Sequence, residues 1–284
     1  METYTAAQVR AAEEPLLAAG IPLMARAAAA LAEETRALLE RSGVATGAAR
    51  VLVLAGSGNN GGDALFAAAQ LARLGARVAI APTSERIHEE GLAAAVAAGA
   101  AVIAGGSAVI DKGATKLAGG SPGIADGASY VEQVARVAAE SDIILDGILG
   151  TGTSANPALR GLARDIVAGI LGAITATANT TTTATTAETS SHATAGTASG
   201  ESGTATTGLT EPLVVAVDLP SGVGADDGVV PDSTVLAAAI TVTFGGCKAG
   251  LLIEPGARYA GRVIVADIGL GESLRRVASD DASG

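Results

Sequence analysis

The sequence predicts an α/β fold in three layers, with helices on both faces of a mostly parallel sheet and extra helices at the N-terminus. Two observations lead there. From Arg50 onward, β-type runs alternate with helical stretches, which implies parallel strands joined by crossover helices. Three of those runs break into glycine beside an amide or a carboxylate, and the strands of such a sheet present ligands beyond their carboxyl ends. Hydrophobic residues make up 49% of the 284 residues and aromatic ones only 2%, so the core must be built from Ala, Val, Leu and Ile. That length suits one large domain, 1–284, with a substantial core.

The elements follow in order. Thr5-Ala6-Ala7-Gln8 has the spacing of a capping box and starts a helix that Pro15 interrupts or ends. Pro22 suits the first turn of a second helix reaching about Glu40, with Ser42-Gly43 as its stop. Then come a strand at 50–55, a helix at 63–74, a strand at 77–81, a helix at 86–98 and a short strand at 101–104. Residues 105–128, rich in Gly, Ala and Ser, lack periodicity and read as a loop or insertion. A helix at 129–140, a strand from Asp142 to Asp146 and a helix at 158–171 follow.

Composition shifts sharply over 172–211, where Thr, Ala, Ser and Gly dominate and large apolar residues almost vanish. Such a segment buries too little surface to offset its ordering entropy, so a disordered low-complexity insertion is expected. Three strands close the pattern: Leu213 to Val217, Ile240 to Phe244 and Arg262 to Ala266. The polar tail at 273–284 is expected to fray.

Charge and cysteine content exclude several functions. A net charge of −11 opposes broad attraction to nucleic acid or an anionic membrane, and the shortage of rings leaves no base-stacking platform. Cys247 is the only cysteine, so neither an internal disulfide nor a cysteine metal cluster can form within the chain. No apolar run reaches the roughly 18 residues of a spanning helix, and the opening residues lack a basic and apolar leader. A soluble, cytoplasmic protein is expected.

Chemistry should sit where Val51-Leu52-Val53-Leu54-Ala55 breaks into Gly56-Ser57-Gly58-Asn59-Asn60-Gly61-Gly62-Asp63. A Gly-rich strand-to-helix turn exposes backbone N–H groups to an anion, which points to a phosphate-bearing ligand. Gly56-x-Gly58-x-x-Gly61 is formally the dinucleotide fingerprint, so a dehydrogenase is one reading. The ribose-binding acid that fingerprint needs about 20 residues on is missing, because Arg77 to Ala81 runs into Pro82-Thr83-Ser84. A P-loop is excluded, since no Lys-Ser or Lys-Thr follows the glycines. Two amides and a carboxylate exceed what a dehydrogenase turn requires. The other strand ends carry similar chemistry, in Asp146-Gly147-Ile148-Leu149-Gly150-Thr151-Gly152 and Asp218-Leu219-Pro220-Ser221-Gly222. Parallel strands place all three along one edge.

GNNGGD, DGILGTG and VVAVDLPSG, followed by TVTFGGCKAG and GRVIVADIGL, resemble the N-terminal domain family of YjeF, the NAD(P)H-hydrate epimerases. The opening QVRAAEEPLLAAGIPLMARAA is similar to that family's first helices, so the likeness covers the chain outside 105–128 and 172–211. It implies a three-layer αβα Rossmann-like sandwich. It also implies an enzyme that interconverts the R and S forms of hydrated NADH or NADPH (NAD(P)HX) at C6 of the nicotinamide ring, a metabolite-repair activity. By the same resemblance Asn59, Asn60, Gly61, Gly62 and Asp63 hold the substrate. The turn Gly150, Thr151, Gly152, Thr153, Ser154, Ala155 and Asn156 wraps its phosphates, and Asp218 contacts the altered nicotinamide. Asn60, Asp146 and Ser221 face one monovalent cation per subunit, usually K+, in keeping with the oxygen preference of hard cations.

A C6 hydroxyl beside a ring nitrogen is a carbinolamine. It inverts by protonation, loss of water to an iminium and addition of water to the other face. Asp218, at a buried strand end, is the acid/base candidate; its other readings are a turn cap or a cation ligand. Lys248 stands where the family carries a lysine, either paired with an anion or solvated. His88, His192 and Cys247 have no catalytic setting. Departures from the family pattern are Ala64, Ala239 and Ala249, none of them a site residue. A non-catalytic scaffold of the same fold is the alternative reading. Many relatives carry a second, ADP- or ATP-dependent dehydratase domain for which this length leaves no room, so a separate dehydratase is the expected functional partner. A homodimer is expected, with the N-terminal helices as one way to form it.

Overall fold

The computed structural model describes residues 1–104, 127–153, 156–187, 209 and 211–281. Seven parallel strands form the main sheet: β2 (Arg50–Ala55), β3 (Arg77–Pro82), β4 (Ala101–Val102), β5 (Ile143–Gly147), β6 (Leu213–Val217), β7 (Ile240–Phe244) and β9 (Arg262–Ala266). Their order is β4-β3-β2-β5-β6-β7-β9. The chain therefore builds outward from β2 to one edge, returns to β5, and builds to the other. The switch lies between β2 and β5, where the loops leaving neighbouring strands diverge and open a crevice.

Both faces of the sheet are covered, as an all-parallel sheet requires. Along β2, Val51, Val53 and Ala55 face one core layer, shared with Leu31, Leu65 and Leu92 from α2 (Leu23–Arg41), α3 (Asn59–Arg73) and α4 (Glu89–Ala97). Leu52 and Leu54 face the other, with Val134 and Ile166 from α5 (Gly127–Ala139) and α6 (Gly161–Ala187). Aliphatic alternation along one strand thus serves two layers. The expected αβα sandwich is what forms.

Several elements differ from the sequence reading. Helix α1 (Ala6–Ala18) opens on the expected capping box, with the Gln8 N–H donating to Thr5 Oγ1, but Pro15 sits inside it without ending it. Helix α3 starts at Asn59, four residues before the expected boundary, so the Asn-Asn-Gly-Gly run is a helical turn. Helix α6 extends past residue 171 to Ala187, since no Gly or Pro interrupts 173–187. Beyond the one-turn α7 (Ala257–Ala260), the tail that is expected to fray is helix α8 (Gly271–Asp281), seated through buried Leu270 and Leu274. A small parallel ladder was not anticipated: β1 (Thr3–Tyr4) pairs with β8 (Cys247–Lys248). Most of the two expected insertions, Ser154 and Ala155 lie outside the described residues.

Candidate functional site

The site is built where β2, β5 and β6 end. Gly58 is the N-cap of α3 and makes no side-chain capping bond, and the first intrahelical bond near this end runs from Gly62 N–H to Gly58 O (3.2 Å). The N–H groups of Asn59, Asn60 and Gly61 therefore keep the helix-end donor character that suits an anion. Two glycines allow this end to lie so close to its neighbours. A Cβ on Gly61 would stand 2.1 Å from the Gly56 carbonyl oxygen, and one on Gly56 would stand 1.9 Å from that of Ile148. The glycine at position 58 has open space around it, so the formal fingerprint serves packing at its first and last positions only. At the tip of β3, Pro82 is followed by Thr83, whose hydroxyl donates to Ala55 O (3.1 Å), and by Ser84. No ribose-binding carboxylate stands there, which removes the dehydrogenase reading.

Asn60 is buried, and its amide nitrogen donates to Val217 O (2.5 Å) and Leu149 O (3.1 Å). One side chain thereby ties the end of β6 to the loop after β5. Gly150 lies against this amide, since a Cβ there would sit 2.3 Å from Asn60 Oδ1. Beside it, Asp146 is fully enclosed. Its Oδ1 accepts from Ser221 Oγ (2.6 Å), and its Oδ2 accepts from Ser221 N–H (2.9 Å). Ser221 Oγ in turn accepts from Leu149 N–H (2.9 Å). Burial pushes the Asp146 carboxyl up, and its bonds to Ser221 offset part of that rise. Asn60, Asp146 and Ser221 therefore meet around Leu149.

Asp218 follows β6 with φ of 66°, the only positive φ outside glycine among the described residues. Asp tolerates that region better than most side chains, and the conformation marks a constrained site. Its Oδ1 accepts from the Lys248 ammonium, Thr243 Oγ1 (3.0 Å) and Phe244 N–H (3.2 Å). Lys248 is 1% exposed and also donates to Phe244 O (3.0 Å), so of its two sequence readings the paired one holds.

Asp63 completes the group. It projects from α3 at 6% exposure, and its Oδ1 is the one buried side-chain polar atom without a hydrogen-bond partner among the described residues. Its pKa is pushed up to about 8, first by burial and then by the charges of Asp218 and Glu13, with Lys248 opposing. Asp63 lies past the first turn of its helix, where the helix-end field has faded, so nothing nearby cancels the burial. Glu13 is also pushed up by burial. It reaches this cluster from α1, a placement without any local sequence signal; its neighbour Arg10 donates through Nη1 to Thr151 O (3.2 Å).

On the other side of Asn60 a cleft of about 270 Å³ opens at the tips of β3, β2 and β5. Ser57, Thr83, Ser84, Leu149, Asn156 and Arg160 line it. Leu149 belongs to the cleft wall and Val217 immediately precedes Asp218, so the Asn60 amide stands between the cleft and the buried carboxyls. Asn156, from the expected phosphate turn, is on the cleft, and its Oδ1 also accepts from Ala158 N–H (3.0 Å). His88 instead caps α4, accepting from Gly91 N–H (3.0 Å). Cys247 is buried, with its thiol pushed up by that burial.

A parallel αβα domain whose polar side chains gather at the topological switch defines a Rossmann-like ligand-binding class. The chain belongs to the YjeF N-terminal family: the family model described as YjeF-related protein N-terminus matches residues 20–250. It is 44% identical over 267 residues to an NAD(P)H-hydrate epimerase of Clavibacter michiganensis, covering 94% of this chain and 90% of that one. It is also 32% identical over 272 residues to a bifunctional NAD(P)H-hydrate repair enzyme, Nnr, of Mycobacterium tuberculosis, covering 94% of this chain and 41% of that one. The crystal structure of yeast ynu0 (YNL200c) superposes with a TM-score of 0.58 at 16% identity, over 93% of this chain and 87% of that one, a likeness of fold.

Proposed function

We propose that the protein is an isomerase that interconverts the R and S forms of hydrated NADH and NADPH at C6 of the nicotinamide ring. The observation that carries this reading is the buried carboxyls Asp63 and Asp218 near the polar cleft at the switch point. Inversion of a carbinolamine needs proton transfer to and from oxygen and a water that can reach either face of C6. The free N–H groups at the start of α3 and the turn beginning at Gly150 accept the phosphates, and the hydrated ring reaches Asp218. A scaffold has no need of these buried carboxyls, so the non-catalytic alternative is not favoured.

Asn60, Asp146 and Ser221 fit a monovalent cation. All three offer oxygen and only one brings a negative charge, which matches a single positive charge better than a divalent ion. Among the described residues no group of three or more His, Cys, Asp or Glu side chains is placed to hold a metal. A bound K+ would supply fixed positive charge beside the nucleotide. The buried Asp146 carboxylate, whose hydrogen-bond partners here are neutral, would gain its counter-charge.

The same reading places the protein in the cytoplasm, working with a separate ADP- or ATP-dependent dehydratase that removes the S form, as a homodimer, without nucleic acid or membrane contact. Among the described residues no single helix is long and apolar enough to cross a membrane. The test is direct. Purified protein given R-NADPHX in potassium buffer should produce the S form, followed by chromatography of the two epimers. Equal rates with and without protein would overturn the reading.

A further inference from the structure

Two carboxyls meet the substrate end of this site, and their surroundings differ in a way that divides the work. Asp218 Oδ1 is held by an ammonium, a hydroxyl and a backbone N–H, all donors to an anion. Asp63 Oδ1 has no hydrogen-bond partner among the described residues and is sealed from solvent. One position stabilises negative charge and the other disfavours it. The two are close enough for the charge of Asp218 to act on Asp63. The donor-rich position suits an anion, and the position whose buried oxygen has no partner suits a neutral acid.

Resting on the epimerase reading, we propose that Asp63 is the proton donor of the reaction and Asp218 the carboxylate that receives the proton back. Asp63 gives its proton to the C6 hydroxyl. The C6–O bond breaks with its electron pair on oxygen, water leaves, and the ring nitrogen's lone pair forms the iminium. The anionic Asp218, fixed by Lys248, stabilises that cation. Water then adds to C6 on the opposite face and yields a proton to Asp218. Transfer of that proton to Asp63 restores the starting enzyme, and no atom or electron is gained or lost. The reverse epimerisation uses the two carboxyls in exchanged roles. Lys248 is a positioning residue: it holds the acceptor and does not touch the ring.

The charges around Asp63 agree with this division. From α1, Glu13 adds negative charge at the cluster, while Arg10 is engaged with Thr151 O. From β8, Lys248 opposes the rise but is committed to Asp218, Thr243 and Phe244. Asp146, at the end of β5, is occupied by Ser221, and His88 faces Gly62 with Nδ1 bonded to Gly91 N–H. Burial is the largest influence, and it leaves Asp63 protonated up to about pH 8. A donor must carry its proton at working pH, and Asp63 does.

The experiment is the pH profile of epimer exchange from pure R-NADPHX, measured from pH 5 to 9.5 for the wild type, Asp63→Asn and Asp218→Asn. Infrared titration of the protonated carboxyl band runs on the same samples. Wild-type exchange should be level at neutral pH and fall about tenfold per pH unit above about 8. Asp63→Asn, close in shape to the protonated acid, should fold, lose exchange by roughly 100-fold or more and lose that limb. It should also lack the carboxyl band that disappears near pH 8 in the wild type. Exchange within threefold of wild type in Asp63→Asn, or the same limb surviving in it, overturns the assignment. So does a limb that disappears only in Asp218→Asn. If the wild type shows no exchange, the epimerase reading fails and takes the donor role with it. The infrared band then still decides whether Asp63 holds the proton, so the two failures are told apart.

Discussion

The Lys248 ammonium and the Asp218 carboxylate form an ion pair with side-chain exposures of 1% and 8%, at the junction of the short β1–β8 ladder and the end of β6. A buried pair of this kind is costly to break from one side, since the remaining charge has no water to turn to. Lys248→Met should therefore destabilise the fold by about 3–5 kcal/mol in urea unfolding. Lys248→Met with Asp218→Asn should cost less than the single change. Additive losses would show that the pair is not coupled.

Asp63 gives a pH signature of opposite character. In the fold it keeps its proton to about pH 8, whereas an unperturbed carboxyl releases it near 3.8. Below pH 3.8 both folded and unfolded chains carry the proton and burial exacts no ionisation penalty. As pH rises from there through 8, the folded state still binds a proton that the unfolded chain has released, so stability falls. Asp63→Asn removes that slope. Its melting temperature should match the wild type near pH 4 and exceed it at pH 8, by on the order of 5 kcal/mol of stability. Parallel curves across that range would contradict the burial of a protonated acid.

Asn60 separates cation binding from folding. Its amide ties Leu149 to Val217, and its truncation leaves those carbonyls to other donors. Asn60→Ala should keep the far-ultraviolet circular dichroism of the wild type while the dependence of exchange on K+ disappears. The lost hydrogen bonds should cost about 1–3 kcal/mol in unfolding. A K+ response equal to the wild type would remove Asn60 from the proposed cation site.

Helix α8 provides a test of the C-terminal packing. Leu274 is 2% exposed, so Leu274→Ala should cost about 2–5 kcal/mol, whereas Arg275→Ala at the exposed neighbouring position should stay within about 0.5 kcal/mol. Equal, small losses in thermal unfolding would show that the helix does not dock.

The strands were the legible part of this chain. Arg50–Ala55, Leu213–Val217 and Ile240–Phe244 fall where their runs stop at Gly or Asp, because a parallel strand buried on both faces leaves a strongly apolar signature, and the edge strand Arg262–Ala266 likewise stops at Asp267. The start of α3 was not legible. Asn, Asn, Gly and Gly are poor helix formers, and the helix begins there because contacts at Gly56, Gly61 and Asn60, distant in sequence, fix it. The tail departs from expectation for a related reason: buried Leu270 and Leu274 seat a segment whose mean polarity suggests fraying.

The candidate site divides along the same line. Asn60, Asp146, Asp218 and Ser221 stand at or shortly after strand ends, so the pattern of strands brought them into view together. Glu13 lies in a helix more than two hundred residues from Asp218 in the chain, with nothing beside it to mark it. The division of labour between Asp63 and Asp218 depends on which donors reach each carboxyl, and that is a property of packing alone.

The β1–β8 ladder has a practical side. Thr3 pairs with Cys247 and Tyr4 with Lys248, so the first residues of the chain brace the strand that carries the lysine. An affinity tag joined just ahead of Thr3 would sit directly against that brace. A handle placed beyond Asp281, past the last turn of α8, leaves it alone.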